Sequence, residues 1–119
     1  MSQLSPILRD TTDNGLMFWC PGCNEAHRIQ HGAGSGPRWN WNGSTDKPTF
    51  TPSVLVTGVK QLTDEQHETY LKTRKLPEPE QMRCHSFVTD GRIQFLGDCT
   101  HALSNQTVDL PDFPKRFES

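Results

Sequence analysis

Apolar residues are scarce in this sequence. Only 32% of its 119 residues are hydrophobic, against a usual ~45–50% for a class that also counts glycine. The longest uninterrupted apolar run is Leu16-Met17-Phe18-Trp19-Cys20, far short of the roughly 20 residues that a membrane-spanning helix needs. Residues 1–15 hold no apolar core of the kind a secretory signal requires. Charge of one sign is lacking as well. Twelve basic and fourteen acidic residues leave a net charge of −2, which gives no electrostatic footprint for duplex DNA or an anionic bilayer. Two catalytic signatures are missing: Gly-x-Ser-x-Gly, the nucleophile elbow, and the His-Glu-x-x-His of zinc proteases. The expectation is a soluble, cytoplasmic protein with no nucleic-acid and no membrane partner.

The length suits one domain over residues 1–119, with loosely ordered ends at 1–15 and 112–119. A core this poor, loosened further by nine glycines and nine prolines, usually needs a staple. The cysteines supply one. Four stand at 20, 23, 84 and 99, and in a reducing compartment such a set reads first as metal ligands. Cys20-Pro21-Gly22-Cys23 is the tight turn that brings two thiolates to one tetrahedral ion. It lies between the apolar run and the alternating Ala26-His27-Arg28-Ile29, as the tip of a hairpin. A redox reading wants a βαβ setting, and no helical periodicity follows Cys23.

The rest reads mainly as strand. His31 to Pro37 is a flexible glycine-rich loop. Arg38 to Gly43 alternates with period two. Pro48 to Ser53 is extended and feeds the β-branched run Val54 to Thr57. One helix is expected, over about residues 64–75. Thr63 suits the N-cap, Gln66 completes a capping box, and Pro77 stops the chain. Its faces are polar apart from Tyr70, Leu71 and Leu76, so a narrow stripe is expected to seat it on the sheet. The fold class is therefore α+β, mostly β: a small zinc-stapled antiparallel sheet built from hairpins with one inserted helix.

Asp90-Gly91 between two alternating runs predicts a hairpin with a two-residue type I′ turn. That turn sets Thr89 opposite Arg92, Val88 opposite Ile93, Phe87 opposite Gln94 and Ser86 opposite Phe95. Extending the ladder sets Cys84 opposite Gly97, Arg83 opposite Asp98 and Met82 opposite Cys99. Because side chains alternate, Cys84, Ser86, Val88, Ile93, Phe95 and Cys99 share one face. His85 and Asp98 fall on the other. Cys84 and Cys99 become diagonal neighbours roughly 7–8 Å apart, a span for two ligands of one ion. The economical metal site is one structural Zn(II) on Cys20, Cys23, Cys84 and Cys99. His27 and His101 are the competing ligands, and a bulge at Gly97 would exchange the pairings.

On the opposite face His85 is close enough to give a hydrogen bond to Asp98. Ser53, after Pro52 and before a strand that reads as buried, is the best nucleophile for that pair. In that arrangement Asp98 holds the tautomer, His85 takes the proton and Ser53 attacks. The plainer alternative leaves Ser53 in a turn and His85 in a polar corner, and His101 competes as the base. Ser86 reads as a core-facing strand serine. Cys84 is a poor nucleophile for His85, since adjacent strand residues point apart.

These blocks in order (Cys20-Pro21-Gly22-Cys23, Trp39-x-Trp41, Pro48 to Ser53, and Cys84-His85-Ser86 through Asp98-Cys99-x-His101) resemble a family of small phage and prophage proteins. That family often carries the label ammonia monooxygenase, a chemistry nothing in these residues supports. It is in turn similar to the peptidase of bacterial ubiquitin-like conjugation (Bub) operons. The resemblance implies a serine peptidase that releases a ubiquitin-like modifier, and in a phage an anti-defence role. It carries over to Pro52-Ser53, the knuckle cysteines and Cys84-His85. Ser104-Asn105 departs from the Ala-Gly common in the phage family. Two other readings compete. A zinc-stapled adaptor would present Trp39, Trp41 and Phe50 as an aromatic anchor. Single-strand binding through Arg38, Trp39 and Trp41 has the stacking residues but lacks the charge.

Overall fold

The computed structural model describes residues 2–59 and 62–114. The described residues are mostly β with one helix. Among them nine strands run in chain order: β1 (Ser2–Gln3), β2 (Leu8–Thr11), β3 (Gly15–Cys20), β4 (Glu25–Gln30), β5 (Asn40–Trp41), β6 (Phe50–Val59), β7 (Gln81–Thr89), β8 (Arg92–Phe95) and β9 (Thr107–Asp109). The helix α1 (Asp64–Thr73) is inserted between β6 and β7. The strands form two antiparallel sheets rather than one, ordered β1-β2-β3-β4 and β5-β6-β7-β8-β9.

The first sheet corrects the reading of residues 1–15 as a loose lead-in. Ser2–Gln3 and Leu8–Thr11 are strands, and Leu8 and Arg9 are buried. Alternation in this stretch is too short to stand out in sequence, and its burial comes from pairing with β3. At the other end Phe113 is also buried, packing edge-on to Trp19 with ring centroids 6.0 Å apart. Residues 115–119 lie outside the described residues.

The two sheets share one core. Leu8, Leu16, Phe18 and Ile29 from the first meet Phe50, Val54, Val88, Ile93 and Phe95 from the second. Phe18 stacks on Phe50 across the divide, with centroids 5.9 Å apart. Phe50 therefore lies in the core, and Trp39 and Trp41 pack half-buried against it. Their indoles donate to the carbonyls of Ser53 and Ser44. This corrects the picture of an exposed aromatic anchor: burial of apolar surface claims all three rings.

The helix has the expected capping box, with Thr63 Oγ1 accepting from Gln66 N and Gln66 Oε1 accepting from Thr63 N. It ends at Thr73, with Arg74 left-handed at φ 59°. None of its residues is buried, and Leu71 and Leu76 are exposed. The apolar stripe does not seat it on the sheet. Among the described residues no helix is long and apolar enough to cross a membrane.

Candidate active site and metal centre

The Asp90-Gly91 turn has both residues at positive φ, 50° and 76°, as a type I′ turn requires. It sets the β7–β8 register expected from sequence, from Thr89 opposite Arg92 to Ser86 opposite Phe95. Cys84, Ser86 and Val88 face the core and are buried. His85 faces outward and is half-buried.

Beyond Phe95 the ladder departs from its extrapolation. Leu96 N still donates to His85 O at 2.9 Å. Gly97 and Asp98 then form a turn closed by Cys99 N donating to Leu96 O. The chain rejoins β7 at Thr100, whose N–H donates to Arg83 O at 2.9 Å. Thr100 thus stands where Asp98 was expected, and each residue after the turn is displaced by two positions.

That displacement has two consequences. The Asp98 side chain still reaches its histidine: Oδ2 lies 3.2 Å from His85 Nδ1, and Arg83 Nη1 is 3.9 Å from the same oxygen. On the other side of the ring, His85 Nε2 lies 2.8 Å from Ser53 Oγ. Ser53, His85 and Asp98 thus form one chain of hydrogen bonds on the outer face of the second sheet. Their positions follow from the β6–β7 pairing, which sets Leu55 opposite His85, and from the irregularity between Phe50 and Val54. A hydroxyl, an imidazole and a carboxylate in this order have the chemistry to serve as nucleophile, base and orienting group.

The second consequence concerns the metal ligands. The structure brings Cys20, Cys23, Cys84 and His101 together, with ligand atoms all within 4.8 Å of one another. Cys99 is not in this group. Its Sγ sits at the backbone of His85, accepting from His85 N at 3.3 Å and donating to His85 O at 3.2 Å. The structure thus groups three thiols and an imidazole where the sequence reading expected the four thiolates of Cys20, Cys23, Cys84 and Cys99. The cause is the turn at Gly97-Asp98, which swings Cys99 to β7 and carries His101 to the knuckle. The signal lay in the Gly97-Asp98 dipeptide, a turn-former just after a strand.

The chemistry of this cluster fits a metal ion. Cys20 Sγ and Cys84 Sγ are 3.8 Å apart. Hydrogen bonds from Cys23 and Cys84 hold the Cys20 thiol far below its ordinary value. The bond to Cys20 pushes Cys23 up to about 12 and Cys84 well above the ordinary thiol range. Cys20 is thus the most readily deprotonated of the three thiols, and a cation among them would favour deprotonating the other two. His101 Nδ1 lies 3.2 Å from Leu103 N, and Nε2 is buried with no hydrogen-bond partner among the described residues. Its ring lies directly over Gly22, where a Cβ would clash with it. His27, the other competing ligand, is buried and forms a second grouping with Cys23 and Glu25.

A Ser-His-Asp hydrogen-bond chain on one face of a two-sheet β protein, beside a Cys/His cluster between the sheets, is the arrangement of groups that serine hydrolases use. The family model for the bacterial ubiquitination-like system serine protease (BubE) matches residues 2–96, and the chain belongs to that family. Ser53, His85 and the thiols at 20, 23 and 84 fall inside the matched span; Asp98 and His101 lie just past it. No curated protein and no solved structure matches the chain.

Proposed function

We propose that this protein is a serine-type peptidase that hydrolyses the bond between a ubiquitin-like modifier and its conjugate. The observation that supports it best is the hydrogen-bond chain Ser53–His85–Asp98, at 2.8 and 3.2 Å, in a chain of the BubE family. Ser53 Oγ attacks the scissile carbonyl carbon while its proton passes to His85 Nε2. Asp98 fixes the ring and balances the imidazolium that forms. His85 then gives this proton to the leaving amine, the C–N bond breaks, and an acyl ester remains on Ser53. Water, deprotonated by His85, hydrolyses that ester, releasing the carboxylate and restoring the hydroxyl. In a phage-encoded member the same reaction strips host conjugates.

In this proposal Cys20, Cys23, Cys84 and His101 hold one zinc ion, the metal that suits three thiolates and an imidazole. Its role is structural. Cys20 comes from the first sheet and Cys84 from the second, so the ion ties them together, and four protein ligands leave no open position for substrate.

Labelling with a fluorophosphonate, followed by peptide mapping, tests the nucleophile. The expected adduct is on Ser53 and is absent from Ser53→Ala and strongly reduced in His85→Ala. An unlabelled wild-type protein that also leaves ubiquitin-like fusion proteins intact overturns the proposal.

A further inference from the structure

The edge of β6 just past Ser53 is open. β5 pairs only Asn40 and Trp41, with Thr51 and Phe50, and Trp39 Nε1 donates to Ser53 O. The chain before Trp39 leaves toward the first sheet, where Trp39 N donates to Gln30 O. β6 continues to Val59 with β7 on one side only.

The direction of its backbone groups follows from β7. His85 directs both backbone groups away from β6, its O accepting from Leu96 N and its N donating to Cys99 Sγ. Arg83 does the same, through Thr100 N and Oγ1. Leu55 faces His85 and Thr57 faces Arg83, so both are non-hydrogen-bonded pairs, whose members point N–H and C=O away from each other. Leu55 and Thr57 therefore present two donors and two acceptors to the open side, with no strand partner among the described residues. A cavity of about 110 Å³ lies alongside, between Cys23 and Glu25 of the knuckle and Thr57 to Val59.

Unpaired strand edges are templates for another strand. This one lies two residues from the nucleophile. We propose that the edge at Leu55 and Thr57 binds the extended segment of the protein substrate beside the scissile bond, as an added strand. The inference rests on the peptidase reading and specifies how that site takes its substrate. Main-chain pairing selects an extended, unfolded segment and excludes a folded domain from the edge. The peptide residue opposite Leu55 shares the outer face with His85. There Leu55 and Phe87 are 54% and 39% exposed, so an apolar side chain is preferred at that position.

The test uses the full-length Ser53→Ala protein, which binds without cleaving. Hexapeptides are selected on it from a random library, and amide hydrogen exchange is followed with and without the selected peptide. The Leu55 and Thr57 amides are expected to slow at least tenfold in the complex, whereas the Val56 amide, paired with β7, changes little. Thr57→Pro on the same background removes an outward donor that the β6–β7 ladder does not use, so the edge tolerates it. It is expected to weaken peptide binding about tenfold. Failure to select any peptide, or binding that leaves the Leu55 and Thr57 amides unprotected, overturns the inference. If wild-type Ser53 takes no fluorophosphonate while the Leu55 and Thr57 amides are protected, the peptidase reading fails and strand pairing stands.

Discussion

His85 Nε2 stands 2.8 Å from Ser53 Oγ although the two residues are 32 positions apart in the chain. The helix and its flanking segments fill most of that separation, and the β6–β7 pairing closes it. The contact is thus a property of the second sheet. What happens to the helix should matter little to it.

Ser53→Ala is expected to abolish hydrolysis while leaving the fold in place. The loss of kcat should be about 10⁴-fold or greater, as for a removed triad nucleophile. Ser53 is only half-buried, so its melting temperature should stay close to that of the wild type. Steady-state cleavage of a ubiquitin-like fusion, with a thermal melt alongside, checks both halves.

Asp98→Asn should keep the ring in place but favour the wrong tautomer. A kcat reduced by about 10²- to 10⁴-fold is expected, with KM little altered. Asp98 has 41% of its side chain exposed, so water partly replaces the lost carboxylate and the lower figure is favoured. An unchanged kcat removes Asp98 from the catalytic chain.

Metal analysis separates His101 from Cys99. Cys84→Ser and His101→Ala should each lower bound zinc and melting temperature, because each removes a ligand from a site whose binding free energy contributes to folding. Cys99→Ser should retain full zinc stoichiometry. A strong chelator should unfold the wild-type protein rather than merely slow it. Equal zinc loss in Cys99→Ser and His101→Ala contradicts this ligand set.

The aromatic contact between the sheets gives a stability prediction. Phe50 is 1% exposed and stacks on Phe18. Phe50→Ala should cost about 3–5 kcal/mol, the range for a fully buried phenylalanine, measured as a shift of the urea midpoint at unchanged m-value. A cost below about 1 kcal/mol means that the two sheets are not held together there.

Replacing residues 62–79 by a short Gly-Ser linker should leave turnover and zinc content near those of the wild type, since no helical residue is buried. Loss of zinc or activity in that variant shows that the helix supports the sheet after all.

Local chemistry was legible in the sequence wherever neighbouring residues decide it. Asp90-Gly91 specified a turn whose two positive φ values suit those residues, and the turn then set four cross-strand pairs and sorted Cys84 from His85 onto opposite faces. Thr63 and Gln66 capped the helix, and Cys20-Pro21-Gly22-Cys23 formed the knuckle. Each depends on backbone preferences over a few residues, which sequence carries directly. The arrangement of strands into two sheets, the burial of Phe50 with Trp39 and Trp41 against the core, and the exchange of Cys99 for His101 belong to the tertiary structure. They depend on where distant segments meet: a two-residue turn at Gly97-Asp98 displaces everything after it, and no local preference says which thiol or imidazole then arrives at the knuckle.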